Sequence, residues 1–186
     1  VATDIACDGE RLFVAGDHSY GNQWSVKLFD AKDGRPLNWG NGKPTLDPPP
    51  GGEATNNVAT AVACGNGKVY VSWTARNLVG VYDARSGALK ESWPVAAPQR
   101  LAVRPDGSVA LISEGKVVAM GNSKLMADHS ITDHLDSPTG IAVGADGTVY
   151  VANAGKLQNI SVFDQAGQYL RSIGKPGGRP AVGRYD

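Results

Sequence analysis

The sequence predicts an all-β chain of four β-meander repeats, each the size of one blade of a β-propeller. One sign is a turn-and-strand unit that recurs with Gly67, Gly107 and Gly147 spaced 40 residues apart. Another is apolar alternation at period two on either side of those turns. The third is a second turn, running from an Asp to a Gly, that follows in three of the repeats. Composition agrees: 24 glycines and 11 prolines in 186 residues suit many short strands and tight turns rather than long helices.

The repeats align as IACDGERLFVAG (5–16), AVACGNGKVYVSW (61–73), LAVRPDGSVALIS (101–113) and IAVGADGTVYVAN (141–153). The first needs a turn one residue shorter; the second fits the frame of the last two. The second anchor reads SVKLFD then AKDG from Ser25, LVGVYD then ARSG from Leu78, and NISVFD then QAG from Asn159. Asp bonds its own turn backbone there, and Gly supplies the positive φ. The third repeat departs, because KVVAMG (116–121) runs into Asn122 without the Asp. Each repeat thus offers four strands, in the last case Gly140–Val143, Thr148–Asn153, Asn159–Asp164 and Tyr169–Ile173. Blades are expected at about 3–37, 59–97, 99–135 and 139–174 within a single propeller segment, 1–186. A β-sandwich also has many short strands, but nothing in it requires a repeat of this length with the same turn chemistry. Gly9 and Gly67 are 58 residues apart, so the frame holds an insertion, placed at 38–57. Its Pro48-Pro49-Pro50-Gly51-Gly52 cannot continue a strand ladder and reads as an ordered loop.

Eighteen basic residues balance eighteen acidic ones, and no Lys/Arg cluster interrupts them, so no electrostatic footprint for nucleic acid is present. No apolar run approaches the about 20 residues of a helical membrane span. Val1 in place of methionine fits a mature secreted chain or one whose early part is missing. Cys7 and Cys64 end the inner strands of neighbouring blades one residue out of register. Buried free thiols are expected there, with a disulfide as the alternative.

PTGIAVGADGTVYVANAGKLQNISVFDQAGQYLRSIGKPG (138–177) resembles an NHL repeat, with Asn153 where that family usually carries Asp. The other repeats share its strand cores; Pro98-Gln99-Arg100 lacks the family's glycine, and the first repeat lacks the leading proline. The resemblance implies a propeller that usually closes with six blades, hence an incomplete ring here. The remaining blades would come from the same chain or another, or four blades would close alone. It also implies a periplasmic or extracellular setting, with cytoplasmic scaffolds as the alternative.

In a meander the Asp-Gly and Asp-x-x-Gly turns share one face of the ring. The loops after each second strand share the other face with the connections between blades. The second set varies in length and sequence, and variable loops on a rigid scaffold are where binding sits. The candidate binding residues on this loop face are Asp17, His18, Trp24, Trp39, Trp73, Glu114, His134 and Asn153. The aromatic rings suit ligand stacking or a partner interface, with packing between blades as the alternative for each. His129 and His134, with Asp128, Asp133 and Asp136, have metal-ligand chemistry, but a spacing of five puts the two histidines on opposite sides of a strand. Asn153 and Glu114 stand near the channel mouth, where six-bladed hydrolases of the gluconolactonase type hold a divalent metal with Glu, Asn and Asp. The matching positions in the other repeats, Gly16, Trp73 and Ser113, are a poor ligand set. No nucleophile elbow, phosphate loop or His-Glu-x-x-His motif occurs, and no catalytic residue is assigned. The expected function is therefore a non-catalytic binding or scaffolding module for a protein, peptide or glycan, with no cofactor. The alternative is part of a metal-dependent, lactonase-like hydrolase or lyase, which admits a divalent metal.

Overall fold

The computed structural model describes residues 2–16, 25–51 and 58–178. They form four four-stranded antiparallel sheets, each with its strands in chain order. Blade 1 holds β1 (Ala2–Cys7), β2 (Arg11–Gly16), β3 (Val26–Asp30) and β4 (Pro36–Leu37). Blade 2 holds β5 (Ala61–Gly65), β6 (Lys68–Trp73), β7 (Leu78–Asp83) and β8 (Leu89–Pro94). Blade 3 holds β9 (Pro98–Val103), β10 (Val109–Ser113), β11 (Lys116–Gly121) and β12 (Lys124–Leu125). Blade 4 holds β13 (Pro138–Val143), β14 (Val149–Asn153), β15 (Ile160–Phe163) and β16 (Tyr169–Ile173). The fold is an all-β propeller architecture, as the repeat predicts.

Alternation explains the packing. Along β6, Val69, Val71 and Trp73 point to blade 1 and meet Phe13, Ala15, Val26 and Leu28. Tyr70, with Val79 and Val81 of β7, points the other way and meets Leu101, Val109 and Leu111 of blade 3. Blade 3 in turn offers Ala110, Ile112 and Val117 to Val149, Val151 and Phe163 of blade 4. Each seam is thus a separate apolar core between two sheets, and each fully buried Val, Leu or Phe contributes about 1.5–3 kcal/mol.

The turns behave as their residues require. Gly34, Gly87 and Gly167 take positive φ and donate their N–H groups to the carbonyls of Asp30, Asp83 and Asp164. The Asp83 carboxylate accepts from the Ser86 N–H and hydroxyl and from the Arg85 N–H, and these bonds hold its pKa below the usual carboxylate value. In the third repeat Asn122 and Ser123 both adopt left-handed φ, so a two-residue hairpin replaces the missing Asp turn.

One register differs from expectation. Asn66 and Gly67 are both left-handed, and Gly65 pairs directly with Lys68, so blade 2 also has the shorter turn. Pairing Cys64 with Val69 and Cys7 with Leu12 puts the two cysteines at the same position of adjacent blades rather than one residue apart. Both are free; Cys64 is half-buried on the side of the blade 1–2 seam, while Cys7 is exposed rather than buried.

The insertion is structural over its described part, 38–51. Trp39 and Leu46 plug the blade 1–2 seam, Thr45 bridges to Lys27, and the Tyr82 hydroxyl donates to the Asp47 carbonyl at 2.9 Å. Arginines staple blades on the turn face. Arg11 Nη1 donates to the Ala84 carbonyl at 2.5 Å and Arg104 Nη1 to the Gln165 carbonyl at 3.0 Å, in each case the residue after the turn Asp of the next blade.

Candidate functional site

The four inner strands β1, β5, β9 and β13 together line an open cavity of about 660 Å³, the central channel. Its charged groups are Asp4 and Arg100. Both lie at the start of their strands, the loop-face end. Arg100 Nη1 donates to the Thr3 carbonyl at 2.6 Å and lies 3.2 Å from Asp4 Oδ1, so it reaches from blade 3 to blade 1 across blade 2. Asp4 Oδ2 accepts the Val62 N–H at 3.0 Å, a channel-side donor of β5 that no other strand pairs. The guanidinium stays about a third exposed, and its Nε and Nη2 bond to nothing among the described residues.

Cys64 lines the same cavity, but burial, with Asp8 and Cys7 beside it, pushes its pKa up to about 11, which keeps it a thiol near neutral pH. At the turn-face mouth Arg104 is buried and borders a smaller cavity of about 350 Å³. Burial lowers its pKa, and its Nε and Nη2 have no partner among the described residues.

The structure separates the residues singled out in the sequence. Asp17, His18 and Trp24 lie outside the described residues. Trp39 and Trp73 are buried together in the blade 1–2 seam, with Trp39 against Phe13 at 5.7 Å between ring centroids. Trp93 is likewise buried, tilted against Tyr70 in the next seam. Glu114 is exposed at the tip of the β10–β11 hairpin, in a left-handed conformation. His134 is exposed and left-handed, and its ring stacks on Tyr169 at 3.8 Å beside a cavity of about 230 Å³.

Asn153 is buried inside blade 4. Its Oδ1 accepts the Asp136 N–H at 2.9 Å, and its Nδ2 donates to Asn159 Oδ1 at 3.1 Å and Ser161 Oγ at 3.0 Å. Ser161 passes its own proton to the His134 carbonyl at 2.6 Å. Asp136 Oδ2 meanwhile accepts the Lys156 and Leu157 N–H groups. Asn153, Asp136 and the His134 backbone therefore form one network that fastens two loops of the loop face. Ser72 and Ser113, at or next to the ends of their second strands, fasten the entry to blade 3, donating to the carbonyls of Gln99 at the start of β9 and of Ala96 in the connection before it. Among the described residues no group of three His, Cys, Asp or Glu side chains converges as a metal site.

Sequence reasoning missed Arg100 and Asp4. The signal was present, since Arg100 stands where the fourth repeat has Gly140, and a charged side chain in place of glycine on an inner strand changes what lines the channel.

No protein-family profile matches the chain. A segment of 122 residues, 54% of the chain, is 28% identical to peptidyl-alpha-hydroxyglycine alpha-amidating lyase 2 of Drosophila melanogaster and spans 28% of that protein. Among solved structures, hydrazine synthase of Kuenenia stuttgartiensis superposes with a TM-score of 0.66 at 18% identity, covering 92% of this chain and 48% of that one. Virginiamycin B lyase from Staphylococcus aureus gives 0.64 at 14% identity, covering 97% of this chain and 56% of that one. The chain thus spans about half the length of these solved neighbours, and at such identities the likeness is one of propeller fold.

Proposed function

We propose that this chain is a binding module that meets an acidic group of a peptide or protein partner at the loop-face mouth of its channel. One observation carries the reading: Arg100 is held at that mouth by the Thr3 carbonyl and Asp4, and its Nε and Nη2 have no partner among the described residues. A guanidinium fixed on one side and open on the other is prepared for a carboxylate, which it meets with two parallel donors. Asp4 sets orientation and offsets part of the charge, which favours a ligand that adds its own polar contacts over a bare anion. The resemblance of 138–177 to NHL repeats supports a module of that kind, and a periplasmic or extracellular setting goes with it.

Peptide arrays test the reading directly. Peptides with free C-terminal carboxylates are expected to be retained more than the same peptides carrying C-terminal amides. Arg100→Ala should weaken that retention about tenfold or more, the worth of one charge-assisted bond pair. Equal retention of both arrays, or indifference to Arg100→Ala, sinks the proposal.

A second reading has its own support in the 28% identity to an amidating lyase. In it, the channel belongs to a C–N lyase acting on a peptidyl-α-hydroxyglycine, and Arg100 holds the carboxylate of the terminal hydroxyglycine. The reaction breaks the bond between the amide nitrogen and the hydroxyl-bearing carbon, giving peptide amide and glyoxylate. Incubation with such a peptide and added divalent cations decides it. Glyoxylate released above the background rate and lost in Arg100→Ala establishes the lyase; its absence leaves the binding module.

A further inference from the structure

Blades 1 and 3 each reach the next blade through an arginine, and the two arginines are not equally satisfied. Arg11 Nη1 donates to the Ala84 carbonyl, and its Nε and Nη2 donate to Asp8 Oδ2 at 3.0 and 2.6 Å. Arg104 Nη1 donates to the Gln165 carbonyl, but its Nε and Nη2 have no partner among the described residues. These are the two donors that a carboxylate takes in blade 1. Strand pairing explains the difference. Cys7 pairs with Leu12 as Val103 pairs with Val109, so Arg104 holds the place of Asp8, and Ser108 the place of Arg11. Blade 3 therefore has the cation on the other strand end and no carboxylate opposite it. Asp106, in the turn between them, accepts the Ser108 N–H and hydroxyl at Oδ1 instead.

Arg104 is 2% exposed and borders the cavity of about 350 Å³ at the turn-face mouth. The walls come from three consecutive blades: Gly65 and Asn66 of blade 2, Val103 and Pro105 of blade 3, and Val143 and Ala145 of blade 4. Val103, Pro105, Val143 and Ala145 keep apolar surface exposed or half-exposed there. A cavity of this size suits a small molecule. A buried guanidinium with two unmet donors is costly, and an anion that accepts from both relieves that cost. Asp106 is close enough to act on Arg104 through its charge, which disfavours a dianion beside it.

We infer that the turn-face mouth binds a small monocarboxylate with an apolar body. Its carboxylate meets Nε and Nη2 of Arg104 as the Asp8 carboxylate meets those of Arg11, and its body lies against Val103, Pro105 and Val143. Both nitrogens are covered as the side chain stands, and the ligand reaches them once the guanidinium swings about its Gln165 bond toward the cavity. The site lies at the opposite mouth from Arg100 and does not rest on the reading above.

Nitrogen-edited magnetic resonance of the arginine Nε–H groups tests it, on the 186-residue chain. Sodium butyrate is titrated beside sodium chloride at equal ionic strength. The resonance that Arg104→Lys removes is expected to shift with butyrate and saturate, and to stay in place with chloride. Acetate, a shorter body on the same carboxylate, should bind about fivefold or more weakly. Arg104→Lys keeps the charge without the parallel donors, and the butyrate-dependent shifts of the Gly65, Val143 and Ala145 amides should then need about tenfold more butyrate. An Arg104 resonance that butyrate does not move, or that chloride moves equally, overturns the site. Acetate binding as well as butyrate overturns the apolar body. Amide shifts that survive unchanged in Arg104→Lys place butyrate elsewhere and overturn the inference as well.

Discussion

Replacing Trp73 with alanine is expected to cost about 3–5 kcal/mol of folding stability, the range for truncating a wholly buried aromatic ring. The indole ends β6 and projects to the same side as Val69 and Val71, into the core that blades 1 and 2 share. Phe13, Val26, Trp39 and Tyr82 belong to that core, so the cavity left by truncation is walled by two sheets and by the insertion. Sheets tied by their own ladders close such a gap poorly, which places the cost toward the upper part of the range. Set against a typical total of about 5–15 kcal/mol, a loss of this size leaves little reserve. Urea unfolding followed by circular dichroism measures it. A midpoint close to that of the parent chain would mean that Trp73 does not sit in the seam and would return it to the loop face as a ligand platform.

Trp73 also shows where sequence reading reached its limit. The turn chemistry was legible because each turn is local: Asp83 and Gly87 lie four residues apart and bond to each other, and the three Asp-to-Gly turns all form. Four blades followed from that local signal and its period. Register was less legible. The glycine frame aligned Ala61 with Leu101, but Asn66-Gly67 makes a two-residue hairpin, so Val62 takes that place instead. The side-chain direction of Trp39 and Trp73 depends on such registers and on where the insertion docks, neither of which has a local signature. Arg100 is a harder case still. Its partners Thr3 and Asp4 are two blades away, and only the closeness of the inner strands around the channel brings them together.

Asn153→Ala is expected to destabilise blade 4 by about 2–3 kcal/mol, a sum of lost bonds and unmet buried groups rather than of lost apolar area. Truncation leaves the Asp136 N–H without its acceptor and Asn159 Oδ1 without its donor, in a region where Asn153 and Ser161 are both nearly solvent-free. Ser161 retains the His134 carbonyl, so part of the network survives. Coupling is therefore expected in a double-mutant cycle: Asn153→Ala and Ser161→Ala together should cost less than the two losses added, because each already breaks the bond between them. Strict additivity, or an Asn153→Ala chain as stable as the parent, would show that the amide is not committed to the scaffold and is free to serve a ligand. The distinction matters for the channel. If Asn153 is bound up in holding the loops after β14, the loop-face end of blade 4 is a rigid rim. At the loop-face mouth, Arg100 on blade 3 is then a group with donors still open among the described residues, and function is to be sought around it.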